Sequence, residues 1–431
     1  MIPNTYVFKW IRDDKSFSLA DSALISAYRI LSGILVARLG GANAFSEYVL
    51  LTMIHITALS LAATLCSTPL MNLAPGLPHA DRTALLRHAT QHSQILQILL
   101  ATIGIATLSI SYIYNFDTIQ IVACFAATAT GLSAQTRRTW LQSSFQMKRA
   151  LLADLPTPFI VIAATLLASQ ISNKPELGYW WGSTAAFLLA SALMRPSKQI
   201  LPKTDLSPTL QSKFDRSGRV MLLGSIANAG CSRIHPYIIQ CASGTLSVAS
   251  FGAAWTFLGP IRLLTGALGN LLRPRLSSLY IKGDAHRFKL ITKRIYLSIS
   301  TLGIALALCL ALTGPEFVHL VFGKDFQAPP YLLVLACGYA TLDAITTIQM
   351  MVLQISGASG PRSATRFRFQ SAVASILIAL PACSLWGAAG AFLSLLFAEG
   401  IYVVQAYLAT RPKTAPRELA NNFCSHPLSL H

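Results

Sequence analysis

Acidic residues are scarce in this chain. Asp and Glu number 16 among 431 residues, against 34 Lys and Arg, and the four charged types together make up 12%. Soluble domains carry about 25%, so this deficit excludes an ordinary water-facing globular fold. An even spread of charge is missing too. The charged residues gather in short clusters between apolar runs of about 20 residues, the length that crosses a hydrocarbon core. The eight cysteines include no CxxC pair, which argues against a disulfide framework and predicts no metal site. No His/Cys metal spacing, Ser/His/Asp set or Gly-rich phosphate loop stands out; "GASG" at 357–360 does not follow a strand. No cofactor and no direct use of ATP are therefore expected. The opening "MIPNTYVFKWIRDDKSF" has no small-residue cleavage site, so the first span is predicted to act as its own insertion signal. Large external loops are absent as well, the longest falling at about 314–330.

The remaining pattern is that of an all-α polytopic membrane protein. Twelve spans are predicted, at roughly 17–38, 47–70, 92–114, 117–135, 150–171, 177–195, 218–242, 245–272, 295–313, 331–355, 369–386 and 388–410. If the N-terminus is cytoplasmic, 28 of the 34 Lys and Arg lie on cytoplasmic segments, among them Arg137, Arg138, Lys148, Arg149, Arg362, Arg366 and Arg368. Only Arg38, Lys174 and Lys324 fall outside, and Arg29, Arg233 and Arg262 fall within spans. The positive-inside rule then predicts both termini in the cytoplasm. The excess basic charge is read as topology plus contact with anionic membrane lipids. Nucleic acid is not expected as a partner, because no nucleic-acid module accompanies the charge.

The stretch 196–217, "PSKQILPKTDLSPTLQSKFDRS", holds three prolines near the midpoint. It divides the chain into an N-terminal lobe (1–195), a cytoplasmic linker (196–217), a C-terminal lobe (218–410) and a cytoplasmic tail (411–431). The two six-helix lobes read as a parallel internal repeat. Sliding the chain by 204 residues lays 26–52 on 230–256 without a gap and matches Arg29 with Arg233, Ile30 with Ile234 and Gly40 with Gly244. Parallel repeats of this kind occur in one class of transporters.

Several stretches in order resemble the multidrug/oligosaccharidyl-lipid/polysaccharide (MOP) exporter superfamily, and its polysaccharide branch in particular. They are "ILVARLGGANAFSEYVLLTMI" (34–54), "RRTWLQSSFQMKRALLADLP" (137–156), "FGAAWTFLGPIRLLTGALGNLLRPRLSSLY" (251–280), "GPEFVHLVFGKDFQAPPYLLVL" (314–335) and "LQISGASGPRSATRF" (353–367). The resemblance implies a MATE-like pair of lobes around a central cavity that opens alternately to either side. It also implies a flippase for undecaprenyl-diphosphate-linked oligosaccharide repeat units of O-antigen or capsule, in a bacterial inner membrane. A polysaccharide polymerase and a chain-length regulator would be partners. The alternative within the same fold is a drug or metabolite cation antiporter. In span 7, where many relatives carry an acid, this chain has His235.

Charges inside spans carry the functional expectations, because an arginine at the bilayer centre costs about 2.5–3.5 kcal/mol on insertion scales and should face the bundle interior. Arg29 and Arg233, one per lobe, are expected to line the cavity and hold a diphosphate, for which the guanidinium fork is suited. Arg262 is a third candidate. The competing reading holds each arginine in an ion pair with Asp343 or Glu399. Those two acids, with His235, are also candidates for carrying a coupling proton. Asp154 is expected to pair at the cytoplasmic edge beside Arg149. Pro236 is expected to kink span 7.

Overall fold

A computed structural model describes residues 4–74, 77–114, 117–144, 146–195, 206–259, 261–262, 265, 276, 279, 284–323, 326, 329–355 and 360–410. Among these, helix accounts for nearly everything and no strand occurs. The reason is the solvent: in lipid every backbone N–H and C=O must be satisfied within its own segment.

The chain opens with α1 (Asn4–Ala62), followed by a π-helical turn (Ala63–Ser67) and α2 (Thr68–Leu73). Then come α3 (His79–Tyr114), α4 (Thr118–Ser143), α5 (Met147–Asp154), α6 (Pro156–Ser172) and α7 (Pro175–Leu193). The second half holds α8 (Pro208–Ser232), α9 (His235–Ser243), α10 (Thr245–Thr256), α11 (Ala285–Phe322), α12 (Pro330–Ile355) and α13 (Gly360–Thr410).

Two of these helices are two spans each. Within α1, Gly41 (φ 71°, ψ −169°) is not helical; within α13, Gly387 (φ 54°, ψ −127°) is not. Both conformations favour glycine. Gly244, between α9 and α10, adopts φ 79° and ψ −177°, nearly the values of Gly41. The repeat is thus real at this turn, but its register differs from the sequence alignment, which matched Gly244 with Gly40. Gly40 has another role: a Cβ there would lie 2.9 Å from Pro175 Cγ. The one-residue difference has a visible source. Arg29 sits inside continuous helix, whereas the chain breaks between Ser232 and His235, at Arg233 and Ile234. The break lies just before Pro236, which has no N–H to bond back into α8.

Among the described residues, six helical stretches are long and apolar enough to cross a membrane, including Ala23–Met71, Met147–Ser172 and His286–Gly314. The described residues of the predicted span at 117–135 are helical too, and they turn polar side chains inward. In α4, Gln120, Thr128, Thr136 and Thr139 are buried, and the three threonines bond to carbonyls one turn back.

Helices also outrun the predicted spans. The expected external loop 314–330 shrinks, since α11 continues to Phe322. The expected linker shrinks as well: α8 starts at Pro208, capped by Ser207, so 208–217 are helical, and 196–205 lie outside the described residues. The predicted tail, 411–431, lies outside them too.

The lobes are joined at both edges. On the predicted outer side Arg38, at the end of the first span, donates from Nε to Val321 O at 2.8 Å and from Nη2 to Leu320 O. A cation thereby meets the free carbonyls of a helix C-terminus. On the opposite side Phe214 of α8 is fully buried in an apolar cluster with Leu70, Leu85, Trp140, Leu141 and Met194 of the first lobe. Between α6 and α7 the helices touch closely: a Cβ at Gly178 would lie 2.3 Å from Ala164 O, and one at Gly182 would lie 2.7 Å from Ala164 Cβ. This is the small-residue spacing that lets membrane helices approach.

Candidate functional site

A cavity of about 440 Å³ lies within the first lobe. Its wall includes Arg29, Ile56, Ser60, Arg138 and Asp154. The π turn forms part of that wall, through Ala63 and Ser67. It has a local cause: Pro69 cannot donate an N–H, and the ladder widens before it. From Arg29 the cavity runs toward Met71, Gln142 and Asp154, the side predicted to be cytoplasmic. In the opposite direction lies an aromatic layer. Tyr48 packs against Tyr179 with ring centroids 4.8 Å apart, and Phe45 meets Phe322 and Phe326, each at 5.5 Å.

Arg29 sits between these two regions. The polar groups acting on it are the phenols of Tyr28, Tyr179 and Tyr48. Among the described residues, no carboxylate forms an ion pair with it. The same holds for Arg233, which is bound instead to the cavity wall. Its Nη1 donates to Ile56 O at 3.1 Å and its Nη2 to Ser60 Oγ at 2.8 Å. The two repeat-related arginines therefore approach one wall of the first span pair. Arg29 faces the cavity directly, and Arg233 reaches the same wall from α8, in the other lobe.

Arg262 is held differently. Its Nε lies 3.7 Å from Asp343 Oδ2. Its guanidinium carbon sits 3.7 Å from the centroid of Trp255, a cation–π contact. Nη2 lies 3.4 Å from Tyr339 Oη.

Glu399 is fully buried, and both its oxygens accept from Arg368 Nη1, at 2.7 and 2.8 Å. Arg368 also donates through Nε to Asn228 Oδ1 at 2.9 Å and faces Asp343 Oδ1 at 3.9 Å. This corrects two expectations. Arg368 was assigned to a cytoplasmic loop but is only 3% exposed, two turns into α13. The partner of Glu399 is this residue and not one of the three arginines counted within spans. His235 is fully buried; its Nε2 lies 2.9 Å from Ser394 Oγ and 3.2 Å from Ser375 Oγ. That contact packs the start of α9 onto both halves of α13.

A second charge cluster escaped the sequence reading. Arg138 binds Asp21 through Nε at 3.0 Å and through Nη2, and its Nε lies 3.3 Å from Asp154 Oδ2. Asp21 is 2% and Asp154 8% exposed. Asp154 is thus paired, as expected, but buried against Arg138, while Arg149 Nη2 bonds Arg195 O at 2.9 Å. One signal was available: Gly131, Ala134, Gln135 and Arg138 recur at helical spacing on one face of α4, and all four line the cavity.

A larger hollow, of about 760 Å³, lies along Leu393, Phe397, Ile401 and Val404 of α13. It holds no charged group and offers no site for ionic chemistry. Among the described residues five cysteines are buried, while Cys241 and Cys309 are exposed.

No protein-family model matches the chain, and no curated protein gives a significant match. Solved structures do match in fold. An inward-facing multidrug resistance MATE family transporter of the MOP superfamily superposes with a TM-score of 0.75 at 14% identity, covering 90% of this chain and 93% of that one. The lipid II flippase MurJ, in an inward closed conformation, gives 0.66 at 12% identity over 93% and 88%. A MOP superfamily transporter from Pyrococcus furiosus, described as having a binding pocket of reversed polarity, gives 0.67 at 14% identity over 93% and 94%.

Proposed function

We propose, from its likeness in fold to MOP superfamily transporters, that the chain is a flippase for lipid-linked oligosaccharides bearing a diphosphate, of the undecaprenyl type, moved from the cytoplasmic to the outer leaflet of a bacterial inner membrane. O-antigen, capsule or exopolysaccharide repeat units are the substrates this reading names. A polysaccharide polymerase and a chain-length regulator are the partners it implies.

One observation carries the proposal. Arg29 and Arg233 lack carboxylate partners among the described residues, whereas Asp154, Asp343 and Glu399 each have an arginine. An uncompensated guanidinium beside a cavity favours an anion there. A diphosphate supplies the charge, and bidentate Arg–phosphate bonding supplies the orientation. The driving force fits as well. A negative interior favours outward movement of an anion by about 2.3 kcal/mol per charge per 100 mV, about 4.6 kcal/mol for two charges. The sugar head needs the polar cavity, while the polyprenyl tail can stay in lipid.

The test is deletion of the gene. Cytoplasm-facing lipid-linked repeat units should accumulate, and restoring the wild-type chain but not Arg29→Gln should clear them. Wild-type levels of intermediate with polymer still forming would sink the proposal.

The MATE superposition favours a second reading, a cation antiporter. That reading needs an acid free to meet the cation, and efflux of a cationic dye that depends on Asp154, Asp343 or Glu399 would establish it.

A further inference from the structure

On the predicted cytoplasmic side, His88 and His92 stand one turn apart on α3, and Asp215 faces them from α8. His88 Nε2 lies 3.1 Å and His92 Nε2 3.6 Å from the same atom, Asp215 Oδ1. One ligand atom from each of the three residues lies within 4.8 Å of the others. We propose that these residues form a divalent transition-metal site, of the zinc class, that clamps the start of the second lobe onto the first.

Hydrogen bonding at His92 is the first argument. Its Nδ1 lies 3.1 Å from the carbonyl oxygen of His88. A carbonyl only accepts, so Nδ1 carries the proton and donates it. In the neutral imidazole this leaves a lone pair on Nε2, aimed at a carboxylate that also only accepts. Two acceptors do not face each other at 3.6 Å unless a metal cation or a second ring proton stands between them, and the arrangement around Asp215 favours the metal. Metal-bound histidines regularly hold their other N–H on a backbone carbonyl in this way.

The second argument is geometric and chemical. A tetrahedral zinc with bonds of about 2.0–2.1 Å places its ligand atoms roughly 3.3 Å apart. The two nitrogen–oxygen separations, 3.1 and 3.6 Å, bracket that value. Two imidazoles and one carboxylate suit zinc and its neighbours better than calcium or magnesium, which need more oxygen ligands. A fourth position would remain for water.

The site is also built to be held and reached. Phe214, next to Asp215, is fully buried in the first lobe and packs edge-on to His88 at 5.3 Å. That contact fixes where Asp215 points. The side chains of His88, His92 and Asp215 keep 12%, 35% and 23% exposure, so an ion can enter from solvent. Sequence reading missed the set because its third ligand lies 123 positions beyond the second, across the midpoint of the chain. The inference does not depend on the transported substrate.

The full-length protein, purified in detergent on a tag without histidines and stripped with chelator, is titrated with Co²⁺ as a spectroscopic stand-in and with Zn²⁺ by calorimetry. One ion per chain with a tetrahedral Co²⁺ spectrum is expected. His92→Ala and Asp215→Asn should each weaken binding by tenfold or more, while both variants stay monodisperse. Zn²⁺ should raise the unfolding midpoint of the wild type and leave that of the variants unchanged. Variants that bind Co²⁺ as the wild type does would place the ion elsewhere, for example on the exposed thiols of Cys241 or Cys309, and overturn the proposal. A wild-type midpoint that depends on His92 and on pH but not on Zn²⁺ would overturn it too, by showing an imidazolium in place of the metal.

Discussion

In the first lobe one guanidinium, Arg138, serves two carboxylates, Asp21 and Asp154. In the second lobe two guanidiniums, Arg262 and Arg368, face two carboxylates, Asp343 and Glu399. The spans correspond in order while the signs reverse. The fourth span of the first lobe holds the arginine and its fifth the acid; in the second lobe the fourth holds Asp343 and the fifth Arg368. The clusters differ in access as well. Arg138 and Asp154 line the cavity, while Arg368 and Glu399 are sealed at 3% and 0% exposure. The second cluster balances its own charge and reads as structure. The first has an acid in excess and meets the cavity.

The strongest way to break this comparison is to remove the base from the sealed cluster. Arg368→Met leaves the carboxylate of Glu399 buried without its partner, which costs about 3–5 kcal/mol. The unfolding midpoint in detergent should fall sharply or the protein should fail to purify as a monodisperse species. Combining Arg368→Met with Glu399→Leu should recover most of the loss. A double variant as unstable as the single would show that the pair is not what holds α13 to itself.

The matching change in the first lobe should be milder. Arg138→Met exposes Asp21 and Asp154 to cavity water, and a side chain 22% exposed loses less. About 1–3 kcal/mol is expected. Losses of equal size in the two lobes would erase the contrast between an open and a sealed cluster.

Arg29 should separate function from stability. Arg29→Gln is expected to cut transport by tenfold or more, about 1.4 kcal/mol of lost interaction, while the unfolding midpoint barely moves. Arg29→Lys should rescue only part of the transport, because an ammonium keeps the charge and loses the fork. Arg262→Gln should do the reverse and lower stability first, since it is stacked on Trp255 and paired with Asp343. Equal transport by wild type and Arg29→Gln would remove the phosphate-holding role.

These contrasts also mark what the sequence made legible. Span composition and order were readable, because apolar length is set by bilayer thickness. The pairing of Arg29 with Arg233 rests on an ungapped alignment, whose register the turn glycines Gly41 and Gly244 shift by one. The unequal backbone settings of the two arginines were not readable, since the break at Arg233 depends on how α8 leaves the first lobe. The loop assignment of Arg368 fails because the residue lies near the end of an apolar run, where a basic residue ordinarily marks the cytoplasmic edge. Helix extension beyond the span turns that edge inward. Ser371 and Ser375, both fully buried, continue the face of Arg368 at spacings of three and four, a polar stripe that could have signalled an inward-facing arginine. The carboxylates of Asp21 and Asp154 lie 133 positions apart in the chain, and no local pattern joins them.

A pair at the membrane edge sets the small end of the scale. Lys174, in the turn before α7, donates to Asp117 Oδ2, and Asp117 also caps α4 by accepting from Ile119 N at 3.0 Å. The hydrogen bond from Lys174, aided by the cap, holds the Asp117 carboxyl below its ordinary range. A depressed carboxyl contributes stability that is present above its unfolded value, about 3.9, and is lost as pH falls through the lower folded value. Lys174 is half exposed, so water and salt screen the pair and its worth is about 0.2–1 kcal/mol. Asp117→Asn keeps a capping oxygen and deletes the charge. It should therefore cost no more than that at pH 7, less in high salt, and nothing once pH drops below the folded value. Midpoints of the two proteins measured from pH 7 down to pH 3 should converge. A gap that stays constant with pH would assign the effect to the cap, leaving the buried clusters as the ion pairs that matter to this fold.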